Sequence, residues 1–221
     1  LSFHTRVGLS DVQVEGIRGV TADDIREAHA SGCEIKLLAV AQYRDDSHAR
    51  GVSVRVHPSL VPADNPLASV HGAFNAVLIE AEAAGRLMFY GQGAGGAPTA
   101  SAVLSDVVAA AAHRVHGGQA PRESSYADLP ILGPESAITR YQVQLRVDDQ
   151  PGSLAALAGV FAGNGVSIDS VRQSAYVGGH DAIVTIVTHP ASVFHLDAAV
   201  EGLRREDRVL EVVSVQRVEG Q

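Results

Sequence analysis

The chain has 221 residues, 46% of them hydrophobic and 19% charged, which is enough for one large domain or two small ones with cores of their own. A net charge of −8 argues against nucleic acid or an anionic membrane as the main partner. A single cysteine, Cys33, excludes an intramolecular disulfide and fits a reducing compartment; with no apolar run of membrane-spanning length and no secretory signal, the expected location is cytoplasmic.

The sequence opens on Leu1-Ser2-Phe3-His4-Thr5-Arg6-Val7, which reads like the tail of a packed helix, so a further N-terminal portion is expected ahead of it. Thr21 followed three positions later by Asp24 is a helix cap, and the helix it starts should end near Gly32. Glu34–Tyr43 and Gly51–His57 read as strands joined through Asp45-Asp46-Ser47. In the second, Val52, Val54 and Val56 alternate with Ser53, Arg55 and His57, which predicts one buried face. Residues 57–66 form a loop punctuated by prolines. Asn75–Ala81 and Leu87–Tyr90 supply two more strands around a turn at Gly85. Thr99–Val115, rich in Ala and Val, reads as a helix packed on the sheet.

Breaker-rich sequence between 119 and 136 predicts a flexible linker, dividing the chain into 1–118 and 137–218. The second part has a cleaner pattern: strand Thr139–Val147, helix Ser153–Asn164 closed by Gly165, strands Ser167–Tyr176 and Asp181–His189 around Gly178-Gly179, helix Ala191–Glu206 and strand Val209–Val218. This βαββαβ order is the ferredoxin-like arrangement. The fold class is therefore α+β, a mixed sheet with helices followed by a ferredoxin-like unit.

Two stretches suggest chemistry. Residues 91–100, Gly-Gln-Gly-Ala-Gly-Gly-Ala-Pro-Thr-Ala, leave an apolar strand and enter a helix; glycines allow close backbone approach and helix-start N–H groups attract an anion. The plainer reading is that these glycines only let the helix approach the sheet closely. Asp148-Asp149-Gln150-Pro151-Gly152-Ser153-Leu154 joins the next strand to its helix, with Ser153 placed to cap that helix. Here too the plainer reading is a tight turn without a ligand. The histidines have no metal-ligand spacing, and His113 and His116 suit the negative end of a helix. Lys36 is the only lysine and reads as a solvated or paired strand residue, while Cys33 reads as buried and unreactive.

With Asn164-Gly165-Val166, the Asp148–Leu154 turn resembles the ACT domain, a module that binds amino acids and pairs through its sheet edges; the match covers about 138–218. The first part resembles homoserine dehydrogenase through Phe3-His4-Thr5-Arg6-Val7, Glu34-Ile35-Lys36-Leu37-Leu38, His57-Pro58-Ser59-Leu60-Val61-Pro62, Asn75-Ala76-Val77 and the 91–100 run. Together they look like the C-terminal part of that enzyme's substrate and dimerisation domain, followed by an ACT domain. The resemblance implies an oxidoreductase that interconverts L-aspartate 4-semialdehyde and L-homoserine with NAD(P)H, on the route to threonine, methionine and isoleucine. It implies that the nucleotide-binding Rossmann domain and the catalytic lysine lie upstream of Leu1, so no catalytic residue is assigned here. It makes Gly93, Gly95 and Gly96 cofactor contacts. Asp149, Gly152, Ser153, Leu154, Asn164, Gly165 and Val166 become candidates for an effector such as threonine. The chain alone is expected to be inactive, to hold no cofactor tightly and to form a homodimer or tetramer. The alternative is a free-standing amino-acid-binding or assembly module without catalysis.

Overall fold

The computed structural model describes residues 3–47, 49–118, 127–175 and 181–219. Its first elements are a short strand β1 (Gln13–Val14), helix α1 (Ala22–Ala30) and a long antiparallel pair, β2 (Cys33–Asp45) and β3 (Arg50–Pro62). α1 starts as the sequence dictates: Thr21 Oγ1 accepts from Asp24 N–H at 3.1 Å, and the Asp24 carboxylate accepts from Thr21 N–H at 2.8 Å. Gly32, at φ +71°, then turns the chain into β2. Residues 3–8 are turn, bend and irregular chain, not the helix tail the opening sequence suggests.

β3 departs from expectation twice. It runs on through His57-Pro58 to Pro62 where a loop was predicted. Pro58 is tolerated because it falls where the neighbour on the far side of β3 changes, from β1 at Arg55 and Val56 to another strand at Ser59 and Leu60. It is also covered on both faces: Val52 and Leu60 are buried and Val54 and Val56 half-buried on the valine side, while the polar Ser53, Arg55, His57 and Ser59 are each 2–3% exposed.

β4 (Phe74–Ala81) and β5 (Gly85–Gln92) form a separate two-stranded sheet around the Gly85 turn, and α2 (Gly96–His116) follows after a three-residue loop. The prediction that this helix packs on the sheet fails. No residue of α2 is buried, and Val103, Leu104, Val107 and Val108 are all more than half exposed. Its Ala/Val composition has the look of a covered helix, but among the described residues no sheet face lies against it. Residues 119–126, most of the predicted linker, lie outside the described residues. Its last part is no free tether: Val52 N–H donates to Pro130 O, Leu132 N–H donates to Val52 O, and Ile131 bridges β3 in parallel. A Cβ on Gly51 would sit 2.4 Å from Pro130 O, so only glycine admits this close approach.

The remaining elements are β6 (Ile138–Asp148), α3 (Ser153–Gly163), β7 (Ile168–Ala175), β8 (Asp181–Thr188), the short β9 (Ala191–Ser192), α4 (Val193–Leu203) and β10 (Val209–Val218). Their strands line up antiparallel as β10-β6-β8-β7, the fourth-first-third-second order of a ferredoxin-like sheet. The Gly178-Gly179 turn between β7 and β8 is outside the described residues. Val143, Leu145, Val147, Val184 and Ile186 from the sheet meet Leu157, Phe161, Leu196, Ala199 and Leu203 from the helices in one core. Gly202 lets α4 come close to α3, since a Cβ there would lie 2.8 Å from Val160. The four-stranded sheet does not stand alone with two free edges: β10 pairs in parallel with β3, which makes one eight-stranded sheet of both halves.

Candidate functional site

The glycine run lies where a strand, a turn and a helix start succeed one another. β5 ends at Gln92, Gly93 N–H donates to Ala73 O, and α2 starts at Gly96 with Gly95 as its cap. Each glycine has a different reason to be there. A Cβ at 93 would overlap the Asn75 amide, Gly95 adopts φ +131°, and Gly96 faces open space. Gly93, Gly95 and Gly96 line one open groove with Thr99, Val103 and Leu104. The first N–H groups of α2 have no intrahelical acceptor, and its last turn carries His113, Arg114 and His116, which suit its negative end.

The seven candidates of the second half divide into two groups. Asp149, Gly152, Ser153 and Leu154 are at the N-terminal end of α3, whereas Asn164, Gly165 and Val166 close its C-terminal end. Eleven residues of helix separate them by roughly 16 Å. At the first end Asp149 accepts from Gln173 Nε2 at 2.8 Å, and Gly152, at φ +93°, is the cap. Ser153 is not the cap the sequence suggested: it is buried, and its hydroxyl donates back to Asp148 O at 2.8 Å. Arg208 Nη1 donates to Pro151 O at 3.0 Å and occupies the space where a Cβ on Gly152 would go. Leu154 is exposed. At the second end Val166 N–H bonds Phe161 O and Gly165 N–H bonds Ala162 O, the paired bonds of a Schellman motif, with Val166 buried in the core beside Phe161. Asn164 turns its amide back to Val160 O.

The densest polar arrangement is one the sequence reading passed over. On the polar face of β3, Arg55 Nη2 meets the Glu219 carboxylate at 2.7 Å, just past the end of β10. Thr139 Oγ1 donates to the same carboxylate at 3.0 Å. Arg55 Nε donates to His57 Nε2 at 3.1 Å, which places the ring proton on Nδ1, facing Ser59 Oγ at 2.8 Å and Pro58 O at 3.3 Å. Burial and then the charge of Arg217, with a smaller push from Arg55, hold the His57 pKa below its ordinary 6.5; the Pro58 carbonyl and Glu219 act the other way. Tyr141, on β6, has a buried hydroxyl with no well-formed hydrogen bond among the described residues, and burial raises its pKa against the opposing influence of the nearby Arg217. The signal was present as polar residues at every second position from 53 to 59, but Glu219 is 164 residues from Arg55 and only the fold joins them.

Lys36 is paired, as its strand position suggested: Nζ donates to Val70 O at 2.7 Å and lies 3.4 Å from His71 Nδ1. Cys33 is half-buried, and burial with the nearby Asp64 pushes its thiol pKa up, away from the reactive thiolate. Among the described residues no cluster of His, Cys, Asp and Glu is set to hold a metal ion, and no helix is long and apolar enough to cross a membrane.

Residues 1–108 match the family model for homoserine dehydrogenase, and residues 141–205 match the ACT domain model. The first half of the chain belongs to the homoserine dehydrogenase family. Homoserine dehydrogenase of Mycobacterium tuberculosis is 52% identical over 225 residues, taking in 100% of this chain and 51% of that protein. That of Corynebacterium glutamicum is 49% identical over 220 residues, covering 99% and 49%. The crystal structure of a homoserine dehydrogenase from Thiobacillus denitrificans superposes with a TM-score of 0.82 at 32% identity, over 99% of this chain and 50% of that one. A homoserine dehydrogenase from S. aureus gives 0.66 at 28%, over 100% and 50%. The chain thus spans about half the length of the relatives it matches. The homoserine dehydrogenase match takes in β1 to β5 and the glycine loop, and the ACT match ends ahead of β10 and Glu219.

Proposed function

We propose that this chain is the substrate-and-dimerisation part and ACT domain of an enzyme that interconverts L-aspartate 4-semialdehyde and L-homoserine. Bound nicotinamide cofactor supplies or accepts the hydride in that reaction. The residues of this chain suit one wall of the cofactor's seat. Gly96 opens onto clear space, Gly95 sets the turn, Thr99 offers a hydroxyl and Val103 with Leu104 an apolar surface, all along one groove. Their work is to orient the reacting face and exclude water, not to move the proton. The resemblance to homoserine dehydrogenase assigns that step to a lysine whose motif Lys36 does not match; Lys36, the single lysine here, is bonded to Val70 O and lies beside His71.

The observation that carries the reading is the glycine loop with its groove at the start of α2. The exposed apolar residues of α2 and of the β4–β5 hairpin (Phe89 and Tyr90 among them) support it, since such a surface suits a part of a larger enzyme better than a free-standing module. The expected outcome is that the 221-residue chain alone gives no oxidation of NAD(P)H with aspartate semialdehyde above buffer. Turnover by the chain alone refutes the assignment of the proton step. The ACT unit is assigned feedback binding of an amino acid such as threonine. The two candidate groups are too far apart on α3 for one small molecule to touch both in one copy, so the ligand is assigned to a site between two copies. Calorimetry with threonine, isoleucine and methionine, paired with sedimentation, tests this; no heat with any of the three removes it.

A further inference from the structure

The ACT unit is joined to the first half of the chain strongly along the β10 edge of its sheet, where Val218 packs with Ala28 and Leu60, Gln216 bonds Asp24 and Arg217 pairs with Glu15, and weakly at the β7 edge. At one edge of its sheet, β10 pairs with β3 through Arg217↔Ser59 and Val218↔Leu60, and Glu219 N–H donates to Leu60 O at 3.0 Å. This seam is short, but the Arg55–Glu219 pair is sealed behind it. Parting it strands a guanidinium that is only 3% exposed. At the opposite edge, three strands away or about 14 Å at the usual strand spacing, β7 reaches the first half through Arg172. Its guanidinium donates to Ala30 O at 3.3 Å and Ser31 Oγ at 3.1 Å and lies 3.4 Å from Glu27, so it caps the C-terminal turn of α1 with positive charge. Arg172 is more than half exposed, so this contact is weak and cheap to break.

α1 lies on the helix-free face of the ACT sheet. Gln216, which pairs with Gln142, donates to Asp24 at 3.1 Å; Arg172 pairs with Thr185, which pairs with Gln144. These positions alternate with Val143, Leu145, Val184 and Ile186, which face α3 and α4. Asp24, Glu27, Ala28 and Ser31 stand at i, i+3, i+4 and i+7, one side of the helix. From Ser31 the chain turns at Gly32 straight into β2.

We propose that the β3–β10 seam is a hinge and the Arg172–α1 contact a latch, so that the ACT unit pivots away from α1 when Arg172 releases it and the movement passes through Gly32 into the β2–β3 pair. A polar, weakly held contact between two cores, set across from a strong one, is the build of a hinged pair. Its use as a regulatory device rests on the reading that the ACT unit binds an amino acid.

The test is hydrogen–deuterium exchange on the 221-residue chain. In Arg172→Ala the amides of residues 22–30 should exchange about two- to tenfold faster, the range set by loss of an exposed ion pair and its hydrogen bonds. The amides of β6 and β8 should be unchanged. Glu27→Gln, which leaves the bonds to Ala30 and Ser31, should show a smaller rise in the same segment. Unchanged exchange in α1 overturns the latch, and a rise in β6 and β8 together with α1 overturns the hinge. L-threonine that binds by calorimetry yet leaves α1 exchange unaltered overturns the regulatory use. If threonine, isoleucine and methionine all give no heat, the binding reading and the regulatory use fall together, and the Arg172→Ala result still decides the latch.

Discussion

Removing the Glu219 carboxylate should cost the chain more than any exposed charge change. Arg55 is 3% exposed and Glu219 17%, at 2.7 Å, and Glu219 also takes the Thr139 hydroxyl proton. In Glu219→Ala the Arg55 guanidinium keeps Gln42 and Ser53 at 3.5 Å and its bond to the neutral His57, none of which neutralises it. Breaking a buried pair from one side costs about 3–5 kcal/mol. Because Glu219 is partly wet, the lower end applies, about 3 kcal/mol, or roughly 6–12 °C in Tm for a chain of this size. Urea unfolding followed by far-UV circular dichroism, with the slope compared between variants, measures it. Glu219→Gln, which retains an acceptor for Thr139, should lose less. The pair replaced on both sides, Arg55→Met with Glu219→Leu, should recover most of the loss, since no charge is then left buried. A Glu219→Ala midpoint within about 0.5 kcal/mol of the parent refutes the argument, because that is the scale of a surface substitution.

Phe161→Ala should cost about 3–5 kcal/mol, since the ring is fully buried between the ACT sheet and α4, and urea unfolding reads it directly. Gly165→Ala should cost about 1 kcal/mol and Gly165→Asn less, because φ +72° is the left-handed cap of α3 and the space around it is open; thermal melts of both variants check the order. The pH dependence follows from His57. Its folded pKa lies below the unfolded value near 6.5, so the unfolded chain binds the proton more readily; stability is full above that value and falls as pH drops through it toward the lower folded pKa. Unfolding midpoints between about pH 8 and about pH 5 should decline, and His57→Gln should flatten the part of the slope centred near the unfolded histidine pKa; an unchanged slope in that variant sinks the assignment.

Local chemistry made much of this protein legible before any tertiary structure. The Thr21–Asp24 capping box, the Gly85 hairpin and the Gly165 stop are decided by residues within a turn of one another, so sequence places them closely. The βαββαβ order was readable for a related reason: apolar spacing of about two in β6 and nearly four in α3 follows from backbone geometry alone. The glycine loop between β5 and α2 was likewise visible as a strand-to-helix turn.

What failed depended on which face met which neighbour. Alternation along β3 is symmetrical between valines and polar residues, and hydrophobicity chose the valine face. The tertiary structure buries Ser53, Arg55, His57 and Ser59 more completely than Val54 and Val56, because Glu219 arrives from the far end of the chain to pair with Arg55, which in turn bonds His57 and through it Ser59. Pro58 read as a loop signal, yet a missing N–H does no harm where β1 ends and β10 begins. α2 read as covered by its composition, and composition carries no information about whether a partner surface is present. The sequence by itself determined most of the elements, the Thr21 cap of α1 and the Gly165 stop of α3, since those rest on contacts within a few residues. Only the tertiary structure joined the units through β3 and β10 and set the buried charge pair at that seam. These are pairings between segments up to 164 residues apart, and no local pattern encodes them.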